Sequence, residues 1–232
     1  MHQILQLLPV VLPAAFWALY HYYKDRSLPE PVGNLVATLV LGMLSAALSL
    51  AAYVALGRVG LRYDAYALAD TSGAALLIYA LLAIGPIEEL SKMLPFVLVV
   101  RRFKAFDERL DGIIYASFIA LGYAAVENLQ YLEYLNSAEA LARGFASPVV
   151  HIVFASIWGY FIARAQLAGR PVWPAALAGL GLAAALHGIY DYVVILNARN
   201  SLPGAAAIIV CLWIWRLALM RRMRARDSQD WQ

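Results

Sequence analysis

Four carboxylates and two histidines stand inside stretches that are otherwise apolar enough to cross a membrane. Glu88 and Glu89 follow Gly85-Pro86, with Lys92 one turn on. Glu127 lies in ALGYAAVEN, His151 in SPVVHIVFAS, and His187 and Asp191 share ALHGIYDYVV. A charge at the bilayer centre costs roughly 2.5–3.5 kcal/mol on insertion scales, so such groups on separate helices are expected to meet in one polar site. The residue types suit either hydrolysis or proton transfer within the membrane.

The spacings sharpen the expectation. Lys92 is four residues from Glu88 and three from Glu89, so its ammonium reaches either carboxylate on one helix face. A structural ion pair needs only one of them, which leaves the second carboxylate uncompensated. His187 and Asp191 are also four apart, a spacing that serves a shared metal ion or an aspartate that orients an imidazole. His151 alone reads as a packed core histidine, and its company raises it to a candidate. Tyr123 shares a face with Glu127, and Asn128 beside them can bond backbone carbonyls or substrate. Asp111 lies about 24 Å of helix from Glu127 and is expected to be an N-cap.

The elements that must position these groups are membrane helices. The chain of 232 residues is 63% hydrophobic and 14% charged, with mean hydropathy +0.68, against about 25% charged in soluble domains. We expect an all-α, polytopic helix bundle forming one transmembrane domain over residues 1–232. Seven apolar segments qualify, at 4–23, 34–56, 73–100, 111–134, 146–167, 172–196 and 203–220. The first lacks a basic leader and is read as a retained anchor. The third is too long for one simple span, and Gly85-Pro86 is expected to break or kink it. In the sixth, Gly181, Ala184, Ala185 and Gly188 offer a close-packing face. Tryptophans and tyrosines near segment ends read as an interfacial belt.

Loop charge sets the orientation. With the N-terminus outside and the C-terminus cytoplasmic, twelve lysines and arginines flank the cytoplasmic ends; only Arg58, Arg62, Arg143 and Arg199 lie outside. That topology places Glu127, His151, His187 and Asp191 in one layer between the membrane middle and the outer face, with Glu88 and Glu89 near the middle. The basic run from Arg221 to Arg226 reads as a stop-transfer flank against anionic lipid, not as a nucleic-acid surface. His2 and His21, near helix ends, carry no site support. Cys211 reads as a small apolar filler.

Taken together, KDRSLPEP, PIEELSKMLP, DGIIYASFIALGYAAVEN, His151 ahead of Trp158-Gly159-Tyr160, and LHGIYD resemble the PrsW intramembrane proteases, in the family's order from Lys24 to Asp191. The resemblance implies cleavage of a membrane-anchored protein, such as an anti-sigma factor, on its extracytoplasmic side, by an enzyme of the bacterial inner membrane. It puts the paired-glutamate motif on Glu88, Glu89 and Lys92, the second acidic motif on Glu127, and the histidine motifs on His151, His187 and Asp191. The family is distantly similar to CAAX prenyl proteases and bacteriocin-processing enzymes.

Two chemistries are open to these residues. In one, a divalent ion, zinc foremost, is held by some of Glu127, His151, His187 and Asp191, while Glu88 or Glu89 takes the proton from water. In the other, no metal is needed: a glutamate activates water and histidines stabilise the oxyanion. Four carboxylates and one lysine sum to a formal −3, which a divalent ion reduces to −1, and this favours the metal. Replacing Glu88 or Glu89 by alanine is expected to abolish cleavage without unfolding. The rival class is a proton- or ion-coupled transporter, against which stands the lack of an internal sequence repeat.

Overall fold

The computed structural model describes residues 2–26, 28–196 and 202–230, with no side-chain description for 2–6, 202, 205 and 224–230. Arg199, Ser27 and the side chains of His2, Arg224 and Arg226, which the sequence reading uses, lie outside the described residues. Among those described the regular structure is helical: α1 (His2–Lys24), α2 (Val32–Arg58), α3 (Ala65–Thr71), α4 (Gly73–Tyr79), α5 (Gly85–Leu98), α6 (Arg109–Tyr131), α7 (Ser137–Leu167), α8 (Val172–Leu196) and α9 (Leu202–Asp230). Among the described residues five stretches are long and apolar enough to cross a membrane: α2, the composite Gly73–Arg102, α6, α7 and α8.

The centre of the bundle is α6 with α7. Their most apolar windows are 83% and 72% buried, against 33% for α2, α8 and the composite, so the last three form the outer wall. Leu44, Leu48 and Val54 of α2 and Leu177 and Leu182 of α8 are exposed, as a lipid-facing surface requires. Inside, Trp158, Phe96, Phe154 and Ile113 pack in one continuous core.

Small residues set the closest helix crossings. A methyl built on Gly112 of α6 would come within 2.4 Å of the Gly159 carbonyl oxygen on α7, and one on Gly159 within 2.3 Å of the Gly112 oxygen. Across α5 and α8, a methyl on Gly85 would meet the Ala184 oxygen at 2.1 Å, and one on Gly188 the Ala80 oxygen at 2.5 Å. In lipid such backbone approach replaces a hydrophobic driving force. Of the face expected on α8, Ala184 and Gly188 make this contact, whereas Gly181 meets nothing within 4 Å. Gly181 is exposed, and the small residue that packs at that end is Gly179, against Trp158.

The expected break at Gly85-Pro86 takes a milder form. Residues Ala80–Ile84 wind as a π-helical turn, in which the Gly85 N–H reaches back to the Ala80 carbonyl. Pro86 then falls in the first turn of α5, where its missing N–H costs nothing. Such π turns concentrate at functional sites, and this one lies immediately before Glu88 and Glu89.

Asp111 is not the N-cap of α6. That position is Glu108, and Asp111 is its partner three residues on: Oδ2 accepts the backbone N–H of Glu108 at 2.7 Å and of Asp107 at 2.9 Å. A capping box needs an acceptor at both places, so the sequence reading found the helix start but assigned the wrong member.

Candidate active site

α5 carries Glu88, Glu89 and Lys92 on adjoining faces. Lys92 is fully buried and its Nζ donates to Glu89 Oε1 at 2.6 Å. Trp158 Nε1 donates to the other oxygen at 2.9 Å, and His187 Nδ1 to Oε1 at 2.7 Å. Three donors from α5, α7 and α8 thus converge on Glu89, which is fully enclosed. A buried carboxylate so surrounded is compensated in both charge and hydrogen bonding.

Lys92 has a second partner, His151 Nδ1 at 3.1 Å. An ammonium only donates, so Nδ1 is the acceptor and the ring hydrogen sits on Nε2. That hydrogen is donated to Glu127 Oε2 at 2.6 Å. Glu127 Oε1 in turn accepts from Arg143 Nη2 at 2.9 Å. His187 is oriented by the same logic, with Nδ1 given to Glu89 and Nε2 left facing Glu88 and Asp191. Phe154 stacks on its ring, with centroids 4.8 Å apart.

Glu88 differs from its neighbour. Its Oε2 is buried and makes no hydrogen bond among the described residues, yet His187 Nε2 lies 3.8 Å away and His151 Nδ1 4.0 Å away. Asp191 Oδ2 is 3.6 Å from His187 Nε2. Glu88, Glu127, His151, His187 and Asp191 line one cavity of about 920 Å³, whose wall includes Tyr53, Tyr63 and Tyr190. Its size matches sites for sizeable organic ligands.

All seven residues singled out from the sequence therefore come together. Glu88, His151 and His187 each present a ligand atom within 4.8 Å of the others. Glu127 and Asp191, expected in the metal set, fall outside that trio: Glu127 is held by Arg143 and His151, and Asp191 stands beside His187.

A family model described as PrsW family intramembrane metalloprotease matches residues 30–219. The chain belongs to the PrsW family. Its curated relatives include Protease PrsW of Oceanobacillus iheyensis, 28% identical over 219 residues, covering 94% of each chain. Protease PrsW of Clostridioides difficile is 26% identical over 90% of this chain and 86% of the relative, and that of Bacillus subtilis 25% identical over 89% of each. No solved structure matches. PrsW membership makes this multi-pass chain an intramembrane peptidase, and the cluster built on α5–α8 is its candidate active site.

Three partners escaped the sequence reading. Trp158 lies mid-segment, not in an interfacial belt, and spends its N–H on Glu89. An indole so far from a segment end, on the helix of His151, was the available signal. Loop charge alone puts Arg143 outside the bundle, but α7 begins at Ser137 and carries it to Glu127. Arg216 sits within the last apolar segment, fully buried, donating to Ser156 Oγ at 2.7 Å and Ser117 Oγ at 2.8 Å. Two serines on separate helices gave no pattern that could announce it.

Proposed function

We propose that this chain is one transmembrane domain that hydrolyses a peptide bond of a membrane-anchored protein of the anti-sigma-factor type. The bond is cut toward the extracytoplasmic side of the bacterial inner membrane. Seven spans, with the N-terminus outside and the C-terminus cytoplasmic, account for the arginine distribution. The observation that carries the reading is the Glu88 carboxylate at the cavity wall, whose Oε2 makes no hydrogen bond among the described residues and stands between two oriented histidines.

Glu88 takes a proton from a water molecule as the water oxygen adds to the scissile carbonyl carbon. It returns that proton to the amide nitrogen as the C–N bond breaks, leaving an amine and a carboxylic acid that releases its proton to solvent. His187 faces the same space through Nε2, and Glu89 fixes its ring. Glu127 fixes His151 by the same kind of contact. Glu89 and Lys92 form the buried frame that holds both imidazoles, and Glu89 itself does not meet substrate.

The donors suit a catalytic metal. His151 and His187 with Glu88 present ligand atoms close together, and Asp191 beside His187 is the other carboxylate at hand; these are the nitrogen and oxygen ligands that zinc takes at catalytic sites. A carboxylate behind each imidazole is the outer contact such ligands have. Asp191 with the two histidines would hold the ion, leaving Glu88 as base. When bound, the ion supplies a positive charge that polarises the scissile carbonyl and acidifies water. One contact favours a metal-free second reading: Lys92 already occupies His151 Nδ1 at 3.1 Å, the nitrogen an ion would need.

The test is reconstitution of the pure protein in liposomes with a single-pass reporter, reading the product masses. Two fragments that meet at a bond near the outer end of the reporter span support the proposal. An intact reporter together with pH-driven ion flux would replace it with a transporter.

A further inference from the structure

At the far end of the bundle from the candidate active site, a second cavity of about 250 Å³ opens between α6, α7 and α9. Arg109, Arg164, Arg170 and Arg222 line it, with Tyr160, Leu219 and Met223 on its apolar side. Arg164 is 13 residues beyond His151 on α7, about 20 Å along the helix axis. No carboxylate lines this cavity among the described residues. Arg164, Arg170 and Arg222 also meet no carboxylate elsewhere among them.

Neighbouring arginines are used differently. Arg101 Nε donates to the Val97 carbonyl at 2.7 Å, and Arg102 Nη1 to the Leu98 carbonyl. Both satisfy the end of α5, as basic residues there commonly do. Arg164, Arg170 and Arg222 come from two helices and a turn, and no carboxylate among the described residues offsets their mutual repulsion. Guanidinium groups gathered this way match the oxygens of a phosphate, which they bind two N–H groups at a time.

We propose that this cavity binds the phosphodiester headgroup of an anionic phospholipid. Its volume is below the ~300 Å³ at which drug-sized sites begin, so it takes a headgroup and not a whole lipid. Leu219, at the end of the apolar part of α9, and Met223, within the basic run, flank Arg222 and place hydrocarbon beside the charged groups. Basic pockets between membrane helices at this level are a recurring form of lipid recognition. The proposal rests on the chain spanning a membrane and not on the chemistry assigned to Glu88.

The experiment uses the full chain in zwitterionic detergent, with native mass spectrometry and thermal unfolding as readouts. The probes are short-chain phosphatidylglycerol, phosphatidylcholine of the same chain length, glycerol phosphate and inorganic phosphate. Phosphatidylglycerol is expected to remain bound and to raise the unfolding temperature, and phosphatidylcholine to do neither. R164Q/R170Q/R222Q should weaken phosphatidylglycerol binding roughly a hundredfold, at about fivefold per charge removed. R164K/R170K/R222K keeps the charge without the paired N–H groups and should fall between. Should the triple variant not fold, R170Q, on the turn before α8, carries the test with about fivefold weaker binding. Equal binding of both lipids, or unchanged phosphatidylglycerol binding in the glutamine variants, overturns the proposal. Glycerol phosphate or inorganic phosphate binding as tightly as phosphatidylglycerol overturns the lipid source and assigns the cavity to a soluble phosphate.

Discussion

Glu88 and Glu89 are adjacent in the chain, yet one faces an open cavity and the other is sealed. Successive residues of a helix point about 100° apart. Glu89 thereby receives Lys92, Trp158 and His187 within 2.9 Å, while Glu88 Oε2 has no hydrogen bond among the described residues. The paired glutamates therefore divide into a structural anchor and a group free to react, and their variants should fail in different ways.

Glu89→Gln removes the charge that compensates Lys92 and should destabilise the protein by about 3–5 kcal/mol, the usual cost of breaking a buried pair. Glu88→Gln removes no hydrogen bond and should leave the unfolding temperature unchanged. Thermal unfolding of both in detergent checks this. It also revises the expectation that either glutamate can be replaced without harm to the fold. Equal unfolding temperatures for the two variants would contradict the division.

Metal content should be about one zinc per chain by mass spectrometry, lost in a His187→Ala, Asp191→Ala double variant and kept in Glu88→Gln. Loss from Glu88→Gln would make Glu88 a ligand and leave Asp191 as the base. A metal-free wild type that cleaves in chelator would favour the form in which Lys92 stays on His151.

Arg143 is a positioning residue acting through Glu127 on His151. Arg143→Gln should lower turnover about 10–100-fold, the usual loss when a group behind a site ligand is removed. The unfolding temperature should hold, and Arg143→Lys should restore part of the rate. Stability and turnover falling together would make the contact merely structural.

Packing offers a paired control. Gly85→Val forces atoms onto the Ala184 carbonyl, only 2.1 Å from the first added carbon, so α5 and α8 must separate and cleavage should be lost. Gly181→Val meets nothing within 4 Å and should behave as wild type. Cleavage by Gly85→Val at the wild-type rate would mean the α5–α8 contact does not hold the site.

Outside the membrane, burial raises the Glu30 carboxyl above its ordinary range, and Tyr115 donates its hydroxyl to Glu30. The folded state then holds a proton that the unfolded chain releases, so stability should decline as pH rises through and above the ordinary carboxylate range. Glu30→Gln should flatten that decline in unfolding temperature measured across pH. An unchanged slope would exclude Glu30 as its source.

Much of this arrangement was legible because charge is so costly in lipid. Glu88, Glu127, His151, His187 and Asp191 announce themselves against apolar surroundings, and the same cost predicts that they converge. The helices were legible for the same reason: the seven apolar segments lie largely on helix, and five of them coincide with the stretches long and apolar enough to cross a membrane. What the sequence could not yield was direction around each axis. The split between Glu88 and Glu89 depends on how the π turn at Ala80–Ile84 sets the rotation of α5. Trp158 and Arg143 were hidden because their types are ordinary at membrane interfaces, and only helix length and depth separate the two uses.

The most direct test of the central claim is the rate at which purified Glu88→Gln cleaves a membrane-anchored reporter, beside wild type in the same liposomes. A glutamine of the same shape cannot accept the proton, and general-base loss typically removes 10²–10⁴-fold of rate. We expect cleavage reduced by at least about a hundredfold, in protein that unfolds at the wild-type temperature. Cleavage within a few-fold of wild type would show that the cavity-facing carboxylate is not the reacting group.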